Sequence, residues 1–432
     1  MKKYFFLSIL LCVASFFPRT VFAQWTKTVL PDPPYGHGAL PGRVSCLATD
    51  SMNVFAGTLG GNVYKSSDNG NTWVCIDSGL TTSDITSILA TGGMLYVGCY
   101  GNIANATYGM HGSGSGVYIS TDQGTNWKKA DSSLADTNIY TFARIDSVVF
   151  AGTWGGGIYM SSDSGDSWVE ANNGLTNSYV RTIASDGKRI FAGTWGDGIF
   201  YSDDYGQSWT QSNLGINNLF VYNILVDSPN VYMGNTEGVY FSNDDGFSWS
   251  LRDSGLTTTY INTFVILNPD LFVGTSGQGV FVSLDNGTSW TAIDTGLTDG
   301  YIYCFVENGS KLFAGSSNGE IWSLPISAMM AKVTDIRKKS QQAMPGKFSL
   351  SQNYPNPFNP TTVISYTVPA DGMVTLTVYD ALGREVRTLV SANQTVGQYK
   401  VTFEGTRVAS GMYFYQLRCG TYISTRKMLL MK

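Results

Sequence analysis

Between residues 42 and 323 the chain alternates short apolar runs with clusters of Gly, Asn, Asp, Ser and Thr. Residues 178–213 give the unit: an apolar run over 180–184, then Ile190-Phe-Ala-Gly-Thr194, a loop Trp195-Gly-Asp-Gly198, Ile199-Phe-Tyr201, a polar turn and Trp209-Thr-Gln211. Apolar runs of this length bounded by turn residues predict strands, four to the unit. Comparable units occupy 42–77, 84–131, 138–172, 219–253 and 259–294. A seventh begins at Tyr301 with Ile302-Tyr-Cys-Phe305, Leu312-Phe-Ala-Gly315 and Glu320-Ile-Trp-Ser323, and stops one strand short. The missing strand is at the other end. Gln24-Trp-Thr-Lys-Thr-Val-Leu30 matches Ser289-Trp-Thr-Ala-Ile293 of the sixth unit, so the N-terminal strand is expected to complete the seventh and close a ring. Closure removes exposed sheet edges.

An eight-residue pattern, Ser-x-Asp-x-Gly-x-x-Trp, recurs six times: Ser66/Asp68/Gly70/Trp73, Ser120/Asp122/Gly124/Trp127, Ser161/Asp163/Gly165/Trp168, Ser202/Asp204/Gly206/Trp209, Ser242/Asp244/Gly246/Trp249 and Ser283/Asp285/Gly287/Trp290. From Trp127 onward the tryptophans repeat every 40 or 41 residues, the period of a four-stranded propeller blade. The expected fold is therefore all-β: a seven-bladed β-propeller over 24–325, followed by a small sandwich. Ser and Asp accept hydrogen bonds from a tight turn, Gly supplies positive φ, and Trp packs between blades. Calcium is the alternative role for six such Asp residues, but a calcium loop needs further oxygen ligands and a closing Glu. Asp68, Asp122, Asp163, Asp204, Asp244 and Asp285 are read as structural. The repeats resemble the Asp-box (BNR) propellers, which include sialidases, two-propeller xyloglucanases, the sortilin luminal domain and photosystem assembly factors. The resemblance implies the fold; enzymes and binders share it.

At the N-terminus Lys2-Lys3 precedes an apolar stretch over 4–17 and Val21-Phe-Ala23, so 1–23 read as a secretory signal peptide cut after Ala23. The stretch is too short to span a membrane, and Cys12 is too deep in it to be a lipidation site. No other transmembrane candidate follows. Of the remaining cysteines, Cys46 and Cys304 fall at equivalent inner-strand positions of units one and seven. They form either a disulfide or, the favoured reading, two small apolar linings. No Cys/His spacing suggests zinc, and neither a metal nor a cofactor is expected.

Charge divides the chain. Residues 24–331 carry 11 Lys and Arg against 27 Asp and Glu, and residues 332–432 carry 13 against 5. An acidic body excludes nucleic acid as its partner. Residues 326–346, with Lys332, Arg337, Lys338 and Lys339, read as an exposed linker. Residues 347–432 show alternating strands at 362–366, 373–379, 397–403, 411–417 and 422–428, which suit an immunoglobulin-like sandwich. This module resembles the type A C-terminal sorting domain of the type IX secretion system. The matching residues are Asn353-Tyr-Pro-Asn-Pro-Phe-Asn-Pro360 with Asn356 and Pro357, Val378-Tyr-Asp-Ala-Leu-Gly-Arg384 with Gly383, Gly397 with Tyr399, Ser410-Gly-Met-Tyr413 with Gly411, and Thr425-Arg-Lys-Met-Leu-Leu-Met-Lys432 with Lys427 and Lys432. The resemblance implies passage through the periplasm by the type IX machinery, ending secreted or attached at the outer-membrane surface.

In an Asp-box propeller the Asp turn joins the third and fourth strands, so the opposite face is expected to meet a ligand. There Trp154 and Trp195 occupy equivalent loops of adjacent units, with Tyr100 and Tyr108 in the insertion over 99–116. Flat aromatics at a mouth suit sugar rings or peptide, or serve as a channel plug. Asp197, Glu237 and Glu320 are the candidate catalytic carboxylates, since glycoside hydrolysis needs two facing acids. Sialidase chemistry is disfavoured by five propeller arginines and no Arg-Ile-Pro segment, and Ser/His chemistry by only two histidines, His37 and His111. The sequence favours a non-catalytic binding or scaffolding propeller, with a polysaccharide or surface protein as partner. A xyloglucanase-like hydrolase and a protein assembly factor are the alternatives.

Overall fold

The computed structural model describes residues 24–33, 42–50, 52–80, 84–101, 115–130, 133–267, 269–343, 347–406 and 408–431. The expected signal peptide over 1–23, His37, Tyr108, His111 and Lys432 lie outside the described residues. Among the described residues, 24–325 contain seven antiparallel four-stranded sheets. Six use consecutive strands, over 44–75, 84–129, 139–170, 180–211, 223–251 and 261–292. In the seventh, Cys304–Glu307, Lys311–Gly315 and Glu320–Pro325 are joined by Thr26–Val29, with Thr26 opposite Ser323 and Val29 opposite Glu320. Innermost strands neighbour one another in succession, and Cys304–Glu307 neighbours Val44–Thr49, so the ring is closed. The middle strands are buried along their length, as Val54–Thr58 and Ile190–Thr194 show. That is the burial expected where each sheet packs between two others.

Each Asp box is a hydrogen-bonded cassette. Ser202 Oγ donates to Asp204 Oδ1 (2.7 Å) and accepts the Gly206 N–H (2.8 Å). Asp204 also accepts the N–H and hydroxyl of Ser208. The same bonds recur around Asp68, Asp122, Asp163, Asp244 and Asp285, with the Asn126 amide replacing the hydroxyl in the second box. These bonds engage every box carboxylate in its own turn, which supports their structural reading. The glycine is required: Gly206 has φ +80°, and a Cβ there would lie 2.8 Å from the Phe150 ring. Trp127, Trp209, Trp249 and Trp290 each donate an indole N–H to the carbonyl just past the last strand of the preceding sheet. Trp25 donates likewise to Ile293 (3.1 Å). It fills the seventh tryptophan place from the far end of the chain.

Two expectations need correction. Within the expected exposed linker, Ile326–Ala343 is a helix, with Met329 and Val333 buried. Ile326, Met329, Met330 and Val333 recur at helical spacing, a stripe concealed by the basic residues around it. Tyr100 is not displayed on a loop. It ends the strand Met94–Tyr100 and is 2% exposed.

The chain divides into two compact units between Val333 and Thr334. In the second unit, Ser349–Leu350, Thr361–Val368 and Gly397–Glu404 form one sheet, and Glu385–Gln394, Gly372–Asp380, Gly411–Cys419 and Tyr422–Leu430 another. Their facing sides bury Ile364, Tyr366, Leu376, Val378, Tyr415 and Leu417, giving the β-sandwich.

Candidate functional site

The channel mouth is built from one repeated position. At or near the start of each innermost strand stands a fully buried Val or Ile (Val44, Ile85, Ile139, Val180, Val221, Ile261, Ile302); in five of the sheets the register shifts at the next residue, whose side chain turns to the channel. Those next residues are Ser45, Thr86, Tyr140, Arg181, Tyr222, Asn262 and Tyr303, and all seven line one cavity of about 380 Å³. Three of them stitch the ring: Ser45 Oγ donates to the Ile85 carbonyl, Thr86 Oγ1 to Ile139 (2.5 Å) and Asn262 Nδ2 to Ile302 (2.9 Å). Large side chains replace the stitching residue in three successive sheets, at Tyr140, Arg181 and Tyr222.

Around this opening runs an aromatic crescent. Tyr179, Phe220, Tyr260 and Tyr301 stand at the same position of four consecutive sheets and are 44–49% exposed. Arg181 lies among three rings, 4.4 Å from the centroid of Tyr222, 5.1 Å from Trp195 and 5.5 Å from Tyr140. Arg43 lies 4.3 Å over Tyr303. Such contacts favour a guanidinium through the ring quadrupole. Burial pulls the Arg181 pKa down; Tyr140 and Tyr222 oppose that fall, and the Arg43 charge adds to it. Among the described residues the cavity lining includes no carboxylate.

Trp154 and Trp195 belong to this crescent but do not line the cavity. Trp154 stacks on Tyr140 (5.0 Å between centroids, 29°), and Trp195 meets Tyr222 edge-on at 5.3 Å. The two tryptophans are 5.7 Å apart and tilted by 53°, so they do not form the coplanar platform that a flat glycan chain would select. They brace the rings that face the channel. The candidate carboxylates are engaged elsewhere. Asp197 accepts the Thr176 hydroxyl, Glu237 accepts the Tyr240 hydroxyl (2.6 Å), and Glu320 pairs with Lys27 at 2.8 Å where the ring closes. Sequence reading missed Arg43, Arg181, Tyr140 and Tyr222. For Arg181, Tyr140 and Tyr222 the signal was available in the residue after the buried Val or Ile of each inner strand, and for Arg43 in the residue before it, compared across all seven repeats.

In the sandwich, the two ends of the sorting signal meet. Asn356 Oδ1 accepts the Leu429 N–H (2.9 Å), Phe358 N–H donates to the Leu429 carbonyl (2.9 Å), and Met431 N–H returns to the Phe358 carbonyl (3.0 Å). Asn353 is buried and bonds Pro355 and Thr362. Pro357 lies within this Asn/Pro segment, and Gly383 takes φ +78° in the turn held by Asp380. Gly397 and Gly411 open strands, Tyr399 stacks on Tyr366, Tyr413 donates to the Ala409 carbonyl, and Lys427 is exposed on the last strand.

Residues 352–431 match the model of a secretion system C-terminal sorting domain, and residues 118–129 that of a BNR/Asp-box repeat. The chain is an Asp-box β-propeller with a type IX sorting domain. Such a domain directs export through the periplasm to a secreted or outer-membrane surface-attached state and engages the type IX secretion machinery. No curated protein sequence matches the chain. Among solved structures, YCF48 bound to D1 peptide shares 16% identity and a TM-score of 0.56, over 71% of this chain and 98% of its own. The WD40 β-propeller domain of Doa1 shares 14% and 0.51, over 70% and 97%. The GH74 xyloglucanase from Xanthomonas campestris shares 13% and 0.53, over 69% of this chain and only 53% of its own. At these identities the likeness concerns the fold of the Asp-box propeller alone.

Proposed function

We propose that the exported propeller is a non-catalytic binding module that takes its ligand at the channel mouth. The observation that carries this reading is the composition of the mouth: arginine, tyrosine, Ser, Thr and Asn side chains, with no carboxylate lining it among the described residues. A glycosidase needs an acid and a base or nucleophile on opposite sides of the scissile bond, roughly 5–9.5 Å apart. Asp197, Glu237 and Glu320 are instead held by Thr176, Tyr240 and Lys27. The cavity falls within the usual range of small-ligand sites, about 300–1,000 Å³.

The test is reducing-end release by the mature chain across plant, algal and bacterial polysaccharides. No release is expected. Release that disappears in Asp197→Asn, Glu237→Gln or Glu320→Gln would make the protein a hydrolase, as its xyloglucanase neighbour is.

A further inference from the structure

We infer that the mouth is an anion subsite, with Arg43 and Arg181 receiving the carboxylate or sulfate of an acidic sugar unit in a polysaccharide. This rests on the reading of the propeller as a binding module and specifies its ligand. Two guanidiniums face one cavity, and among the described residues neither has a carboxylate within ion-pair reach. Arg43 Nε is buried without a hydrogen-bond partner. A buried donor on a charged group is costly to leave unsatisfied, and the like charge of Arg181 facing the same cavity adds repulsion. An anion between the two arginines would neutralise that repulsion. The placement is specific. Residues 24–331 carry only 11 basic side chains against 27 acidic ones, yet the mouth gathers two arginines and no acid.

The remaining wall chemistry selects a sugar as the carrier. Exposed ring faces at Tyr260 and Tyr301 offer apolar planes for the C–H face of a pyranose. Further polar groups come from the Asn223 amide and from the oxygens of Ser45, Thr86 and Asn262, whose own donors are spent on the ring but which still accept from ring hydroxyls. A folded protein partner needs a far larger contact, of order 800 Å² on each side.

Titration calorimetry on the mature full-length chain tests this with four probes: oligogalacturonates, sulfated galactan oligosaccharides, neutral galacto-oligosaccharides and an oligoglutamate peptide. At least one acidic sugar set should bind at least about tenfold tighter than the neutral set. That preference should fall by about tenfold or more in Arg43→Gln and Arg181→Gln, the loss of one charge-assisted contact. Arg181→Lys keeps the charge and should retain more affinity than Arg181→Gln, while unchanged melting temperatures certify the fold. If Arg181→Gln does not fold, Arg43→Gln decides. Carboxylate and sulfate are separated by which acidic set binds. Equal binding of the neutral set, indifference to both substitutions, binding of the peptide alone, or no binding of either acidic set would overturn the inference. Cleavage of a bound acidic sugar would instead overturn the non-catalytic reading while leaving the anion subsite in place.

Discussion

Asp68, Asp163 and Asp204 lie at the surface, yet each has its pKa lowered from 3.8 to about 2. The cause is the cassette: the hydroxyls of Thr72, Ser167 and Ser208 donate first, and their backbone N–H groups assist. A carboxyl depressed by folding stabilises the native state above its unfolded pKa, near 4, and that contribution disappears as pH falls through the folded value. Melting temperature should therefore hold steady down to about pH 4 and fall steeply between about pH 4 and 2. Asp204→Asn should flatten that fall and lower the plateau, and a melting series in acid checks both. These residues were legible because a tight turn admits few residue types at those places. Arg181 was not. It has no local signature, and its meaning depends on Tyr140, Trp195 and Tyr222, which come from three different repeats.

Among the elements, the strand Thr26–Val29 has no buried residue of its own. Trp25 and Leu30 anchor it on either side, at 3% and 2% exposure. Trp25→Ala deletes an indole packed between the sixth and seventh sheets, together with its bond to Ile293, and should destabilise the propeller by about 3–5 kcal/mol. The midpoint of denaturant unfolding measures that loss. This strand could be found from its likeness to residues 289–293, because repetition supplies its own template. Elements outside the repeat had no template. The edge strand Glu385–Gln394 is largely exposed and mixes charge with apolar residues, so its alternation is weak. Ile326–Ala343 carries its apolar stripe only over its first turns, beneath a basic composition that reads as linker.

On the scale of the molecule, an acidic ring is joined to a basic sandwich whose signal is folded rather than trailing. Because Asn356 and Phe358 grip the final strand, removing 411–432 destroys both halves of the signal at once. The truncated protein should remain in the periplasm with its propeller folded, and fractionation together with circular dichroism reads this out. Its appearance at the surface would show that sorting does not need the sandwich. The ring itself imposes a rule on the chain that makes it. Its first strand finds its partner 297 residues later, so the latch is made well before its catch. A product cut short anywhere before the last sheet leaves the latch hanging and a raw sheet edge beside it. Such a product offers proteases an open edge in place of a closed ring.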